Sequence, residues 1–168
     1  MEHPIIKITV KEYGTMTAEL YPELAPLTVA NFLKLIEEKF FDGLIFHRVI
    51  KGFMLQGGGY DERMQEKRAD PIRGEFAANG FRQNTLKHVR GVLSMARTSD
   101  PNSASSQFFI MHENAPHLDG QYAGFGLVTE GQDVIDAIAS VKTGNYGWYM
   151  QDVPKTPVVI EKMEIVSR

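Results

Sequence analysis

The side chains best suited to chemistry fall in three runs of this 168-residue chain. The first is Phe46-His47-Arg48-Val49-Ile50-Lys51-Gly52-Phe53-Met54-Leu55-Gln56-Gly57-Gly58-Gly59. On a strand, Phe46, Arg48 and Ile50 share a face, which plants an arginine among large apolar neighbours. A guanidinium is always charged and holds several N–H donors in a fixed fork, so it can stabilise a lone pair or a developing charge without any tuning of its pKa. The same pattern also describes an arginine at the mouth of a barrel, its stem on apolar surface and its head in water. The second run is Leu93-Ser94-Met95-Ala96-Arg97-Thr98, a polar stretch from Ser99 to Ser106, and then Gln107-Phe108-Phe109-Ile110-Met111. In that last strand Gln107, Phe109 and Met111 face one way and Phe108 and Ile110 the other. The third run, Pro116-His117-Leu118-Asp119-Gly120-Gln121-Tyr122, reads as a turn and the start of a strand.

Other chemistries fit less well. The chain has no cysteine, which removes thiol nucleophiles, disulfides and Cys-ligated metal centres. Ser105 or Ser106 with a histidine and Asp119 can be assembled on paper into a hydrolase triad, but no nucleophile-elbow pattern surrounds either serine. His112 and His117 flank Pro116, so the helical spacing of metal ligands fails. Gly57-Gly58-Gly59 lacks the Lys-Ser or Lys-Thr of a phosphate cradle and fits a turn or a close backbone approach. Eighteen Lys and Arg stand against 21 Asp and Glu, a net charge of -3 with no block of like charge. Nucleic acid is therefore not the expected partner.

These runs need elements to hold them. Ile6, Ile8 and Val10 alternate with Lys7, Thr9 and Lys11, and Met16, Ala18 and Leu20 with Thr17 and Glu19, predicting a hairpin that turns at Tyr13-Gly14-Thr15. Val29, Phe32, Leu33, Ile36 and Phe40 then recur at helical spacing. Pro26 in the first turn or Thr28 as a cap would start that helix, and Asp42-Gly43 would stop it. Short strands are predicted at Ile45 to Ile50, Phe53 to Gln56, Val92 to Ala96, Gln107 to Met111 and Gly124 to Val128. A second helix carries Val134, Ile135, Ile138 and Val141 and stops at Gly144, and a last strand runs from Val158 to Val166. Gly57 to Gly91 shows little periodicity, with one short strand expected near Glu75 to Ala77. Many short strands with two helices, and no strand-helix-strand rhythm, predict a mainly β antiparallel barrel or sandwich in one domain spanning residues 1–168. The start, Met1-Glu2-His3-Pro4, lacks the basic opening and apolar stretch of a leader, and no apolar run is long enough to cross a membrane. The expectation is a cytoplasmic chain with no membrane partner.

The blocks Phe46 to Gly58, Leu93-Ser94-Met95-Ala96, Ser106-Gln107-Phe108-Phe109-Ile110 and His117-Leu118-Asp119-Gly120 resemble the signatures of the cyclophilins, the peptidyl-prolyl cis-trans isomerases, in their compact bacterial branch. The resemblance runs in register from the first hairpin to the last strand. It implies a closed eight-stranded antiparallel β-barrel capped by two α-helices. It also implies an activity on X-Pro bonds that requires no cofactor or metal, with proline-containing peptides and unfolded or folding proteins as substrates. By the same match Arg48 is the catalytic residue, and Phe53, Met54, Phe109 and Leu118 form the proline pocket. Gln56 hydrogen-bonds the substrate backbone, Ala96, Arg97 and Gln107 line the groove, and His47 and Tyr122 hold supporting or rim positions. Arg97 is expected to act chiefly through its backbone. A proline-motif binding module is the alternative, one that loss of the arginine would have favoured.

Two departures from the family pattern stand out. His117 occupies a position where some relatives carry the tryptophan that supports tight cyclosporin binding, so that drug is expected to bind with reduced affinity. The segment Tyr60 to Gly74 carries Asp61, Glu62, Arg63, Glu66, Lys67 and Arg68 where many relatives are rich in glycine and threonine, and it reads as a solvated loop. With no added interaction module visible, a monomer is expected.

Overall fold

The protein is described from a computed structural model covering residues 3–168. Met1 and Glu2, the opening of the segment read against a leader, lie outside the described residues. The expected hairpin is strands β1 (Ile5–Val10) and β2 (Gly14–Leu20), paired antiparallel with Ile5 opposite Glu19 and Val10 opposite Gly14. Helix α1 (Pro26–Glu37) is followed by β3 (Arg48–Ile50), β4 (Met54–Gly57), β5 (Val92–Met95) and β6 (Phe108–Met111). Then come β7 (Gly124–Glu130), helix α2 (Gln132–Ala139), β8 (Thr143–Tyr146), β9 (Met150–Pro154) and β10 (Ile160–Ser167).

Eight strands form one antiparallel sheet in the order β10-β1-β2-β7-β5-β6-β4-β3. The curled sheet and two helices match expectation, but the ladder does not run unbroken around the barrel. Between β3 and β10 the gap is spanned by a single bridge, Ile45 with Val159, with the Phe46 N–H donating to Val158 O (3.0 Å) and the Ile160 N–H to Leu44 O (2.8 Å). Inside the curl, Phe32 from α1 packs against Phe41, Phe108 and Phe125 with ring centroids 4.9, 5.3 and 4.9 Å apart. All four rings are fully buried, each contributing about 1.5–3 kcal/mol by leaving water.

Several local expectations are corrected. Phe46 lies just before β3 and is buried in the barrel core, so it does not share the exposed face of Arg48. Helix α1 ends at Glu37, and Lys39, at φ +57°, makes the turn that Gly43 was expected to make. Helix α2 ends at Ala139, which leaves Gly144 inside β8. The strand expected near Glu75 is a loop leading into a 3-10 turn, Ala77–Asn79. The hairpin β8–β9 carries no periodic signal, because β8 is polar or half-exposed throughout and the two buried residues of β9, Val153 and Pro154, are adjacent rather than alternating.

Thr28 is not the cap of α1. No side chain of the N-cap residue bonds the first turn, and Pro26 sits at its start. The free N–H groups are satisfied from 47 and 48 residues away by Glu75, which is 1% exposed. Its Oε1 accepts from the Thr28 N–H and the Thr28 hydroxyl, both at 2.7 Å, and its Oε2 accepts from the Leu27 N–H at 3.1 Å. A carboxylate also complements the positive end of the helix dipole. Glu75→Ala should therefore lower stability by about 2–4 kcal/mol in urea unfolding followed by circular dichroism, with Glu75→Gln losing clearly less because it keeps one acceptor. Equal losses for the two variants would show that the charge-assisted cap is not what Glu75 supplies.

Candidate active site

Register decides which side chains meet. Arg48 on β3 stands opposite Gln56 on β4, Gln56 opposite Phe109 on β6, and Phe109 opposite Ser94 on β5. Since cross-strand partners share a face, this row projects together. The next row, Ile50, Met54 and Met111, adds an apolar shelf. Strand β6 is two-faced: Phe108 and Ile110 enter the barrel core, whereas Phe109 and Met111 join a second apolar cluster on the outer surface with Met54, Val92, Ala115 and Leu118.

That outer cluster floors a cleft of about 140 Å³ lined by Arg48, Phe53, Met54, Gln56, Ala96, Arg97, Phe109, Leu118 and Tyr122. Arg48 is exposed at its rim, and among the described residues no carboxylate pairs with it. Among the described residues its one side-chain hydrogen bond is a long one, from Nη1 to Gln56 Oε1 at 3.4 Å. Gln56 Nε2 in turn donates to Gln107 Oε1 at 3.0 Å, which orients the amide and leaves its oxygen toward the arginine. Close backbone passage beneath this corner explains the glycine run. A Cβ on Gly58, at φ +90°, would meet Ser106 O at 2.7 Å, and one on Gly59 would meet the Gln107 side chain at 2.5 Å.

The far wall is aromatic. Tyr122 meets Phe109 edge-on with centroids 5.7 Å apart. The Arg97 guanidinium lies 4.7 Å from both the Phe76 and Tyr122 ring centroids, donates from Nε and Nη2 to Gln121 O (3.2 and 2.7 Å) and from Nη1 to Thr98 O (2.9 Å). Its donors are spent on the wall itself. Leu118 and His117 come from the 3-10 turn Pro116–Leu118. His117 is exposed at the rim and stacks on Phe53 with centroids 5.8 Å apart.

Gln107 stands behind this cleft and faces an adjoining groove shared with Gln56, Ala96, Arg97, Thr98, Ser103 and Ser105. On the other side of Arg48 lies a further groove lined by His47, Arg48, Tyr149, Met150, Gln151 and Asp152. Its hairpin residues were not singled out from the sequence, because no periodic signal marked β8 or β9. His47 itself is buried, and among the described residues its Nδ1 has no hydrogen-bond partner. Burial, and next to it the Arg48 charge, lower its pKa from the ordinary 6.5 to about 4, so the ring is neutral at pH 7. The charged loop from Tyr60 to Gly74 lines none of these three grooves. Lys67 instead ties it to the turn that follows α1, donating to Phe40 O at 2.8 Å.

No hydrolase site is built among the described residues. Ser106 Oγ donates to Gly58 O, and the serine that does meet a histidine is Ser94, 2.8 Å from His88 Nε2. His88 Nδ1 faces Asp119 at 3.2 Å, yet Ser94 is fully buried and cannot reach a substrate. The trio braces the cleft floor, since the His88 ring stacks on Phe109. Among the described residues no group of three His, Asp or Glu side chains is placed to hold a metal ion, and no helix is long and apolar enough to cross a membrane.

Known proteins resemble this chain over nearly its whole length. The family model described as cyclophilin type peptidyl-prolyl cis-trans isomerase/CLD matches residues 5–165. A peptidyl-prolyl cis-trans isomerase of Acinetobacter baylyi is 48% identical over 160 residues, covering 92% of this chain and 81% of the relative. The peptidyl-prolyl cis-trans isomerase B of Escherichia coli is 43% identical over 162 residues, covering 91% and 94%. A Cryptosporidium parvum cyclophilin type isomerase crystallised in the presence of the dipeptide Ala-Pro superposes with a TM-score of 0.78 at 28% identity, covering 98% of this chain and 99% of that one. With the family model spanning both the barrel and the cleft built around Arg48, the chain belongs to the cyclophilin-type peptidyl-prolyl cis-trans isomerases.

Proposed function

We propose that this chain isomerises X-Pro bonds in peptides and folding proteins by seating the proline ring in the apolar cleft and presenting Arg48 to the prolyl nitrogen. The carrying observation is that Arg48 stands at the rim of a cleft floored by Met54, Phe109 and Leu118 with no carboxylate to neutralise it among the described residues. Rotation about an X-Pro amide faces a barrier of ~20 kcal/mol because it breaks conjugation. Breaking conjugation localises the lone pair on nitrogen, so a donor aimed there binds the twisted state more tightly than either planar one. No covalent bond forms and no proton moves. The apolar floor strengthens the contact by excluding water, while Gln56 holds the substrate backbone. Phe53 closes the proline socket, and Ala96, Arg97, Gln107 and Tyr122 carry the flanking chain.

The likeness to a structure obtained with Ala-Pro supports a proline-containing ligand. In this reading residues 1–168 act as one cytoplasmic domain, monomeric and independent of any cofactor. Cyclosporin binds with reduced affinity because His117 offers less apolar area and no indole N–H at the rim.

Arg48→Ala should lower kcat/KM for an Ala-Pro peptide by about 10²–10³-fold in a protease-coupled assay or by NMR magnetisation exchange, the usual loss for one preorganised donor. Arg48→Lys should not restore it, because a point charge lacks the planar fork. Full activity in Arg48→Ala would remove the arginine from the mechanism. His117→Trp should tighten cyclosporin binding at least ~10-fold, or about 1.4 kcal/mol, by calorimetry while leaving kcat/KM within about twofold.

The neutral His47 makes a separate pH prediction. Its folded pKa is depressed to about 4, so below the ordinary 6.5 the unfolded chain takes up a proton that the native ring refuses. Stability should fall as pH drops from 6.5 toward 4 and level off below that, by on the order of 3 kcal/mol from this ring. His88, whose pKa burial also lowers, adds a loss of the same sign. His47→Phe should flatten its share of the slope in unfolding curves taken across that range; an unchanged slope would assign it elsewhere.

A further inference from the structure

From the contacts beneath Phe53 we infer that His112 is a positioning residue for the proline cleft, acting through the turn that carries Phe53. The inference rests on the reading of the cleft given above. Phe53 follows Gly52 in the short β3–β4 turn, where Gly52 sits at φ +83° and the Phe53 N–H returns to Ile50 O at 3.0 Å. His112, which directly follows β6, holds this turn at two points. Its backbone N–H donates to Phe53 O at 2.9 Å, and its ring Nδ1 accepts the Gly52 N–H at 2.8 Å.

The second contact demands one tautomer. Nδ1 can accept only if its proton resides on Nε2. On that side Nε2 meets Asp136 Oδ1 of α2 at 3.1 Å. Asp136 is itself set by Arg90, which donates from Nη1 to Oδ1 (2.8 Å) and from Nη2 to Oδ2 (3.0 Å) and also reaches His112 O at 3.1 Å. The forked pair therefore fixes the carboxylate, the carboxylate fixes the imidazole tautomer, and the imidazole fixes the turn. His112 is buried, so water does not readily replace it as the Gly52 acceptor. It is not one of the residues that line the cleft, and its chemistry is that of an oriented acceptor rather than of a metal ligand.

His112→Phe, which keeps a ring but removes the acceptor, should raise KM for an Ala-Pro peptide by roughly tenfold with kcat changed less than about twofold, because Phe53 shapes binding in ground and transition states alike. His112→Asn keeps an oxygen near the Nδ1 position and should return KM to within about threefold of the parent. In amide NMR spectra of the folded proteins, the Gly52 N–H should be shifted and exchange at least about tenfold faster with water in His112→Phe, and recover in His112→Asn. This readout needs no turnover, so it tests the clamp even if Arg48→Ala proved that the cleft reading is wrong. An unchanged KM and Gly52 amide in a folded His112→Phe would overturn the inference. So would equal losses in both variants, which would mark a general packing role.

Discussion

The site depends on one constraint, the two-sidedness of strand β6. Four consecutive apolar residues, Phe108 to Met111, are all buried, but on opposite faces. Phe108 and Ile110 anchor the strand in the barrel core, and Phe109 and Met111 build a second apolar layer outside it. Because the core-facing pair sets the register, a one-residue slip would exchange Phe109 for Phe108 and destroy both layers together. The floor of the cleft thus inherits the rigidity of the core, because Phe109 and Met54 stand on the barrel wall itself.

Charge is distributed around that wall with economy. Arg97 is immobilised between two rings and three carbonyl contacts, and Arg90 is locked on Asp136. Of the two arginines that line the cleft, Arg48 is the one whose donors stay nearly free among the described residues. Its neighbour His47 is held neutral by burial, so that ring places no charge beside the arginine near neutral pH.

The loops that complete the cleft are tied by long-range polar contacts. Asp119 accepts the His88 N–H at 2.6 Å and so draws the turn bearing His117 and Leu118 against the loop before β5. Glu75 closes the start of α1, and His112 closes the β3–β4 turn. Each bond joins segments far apart in the chain, which makes the surroundings of the cleft a property of the folded whole.

The periodicity of the chain by itself determined the first hairpin, both helices and most of the sheet strands, because apolar alternation reports directly on which face a residue buries. The short blocks around Arg48, Met95, Phe109 and Leu118 carried the family resemblance and named the residues that meet at the cleft. Tertiary structure decided what local pattern does not encode: the bridge between Ile45 and Val159 that draws the sheet ends together, the outward placement of Arg48 apart from Phe46, and the polar hairpin β8–β9. It also decided which acceptor each buried donor finds. Thr28 looked like a local cap, whereas its partner lies 47 residues away, since burial selects the carboxylate the fold delivers and not the nearest polar residue in sequence.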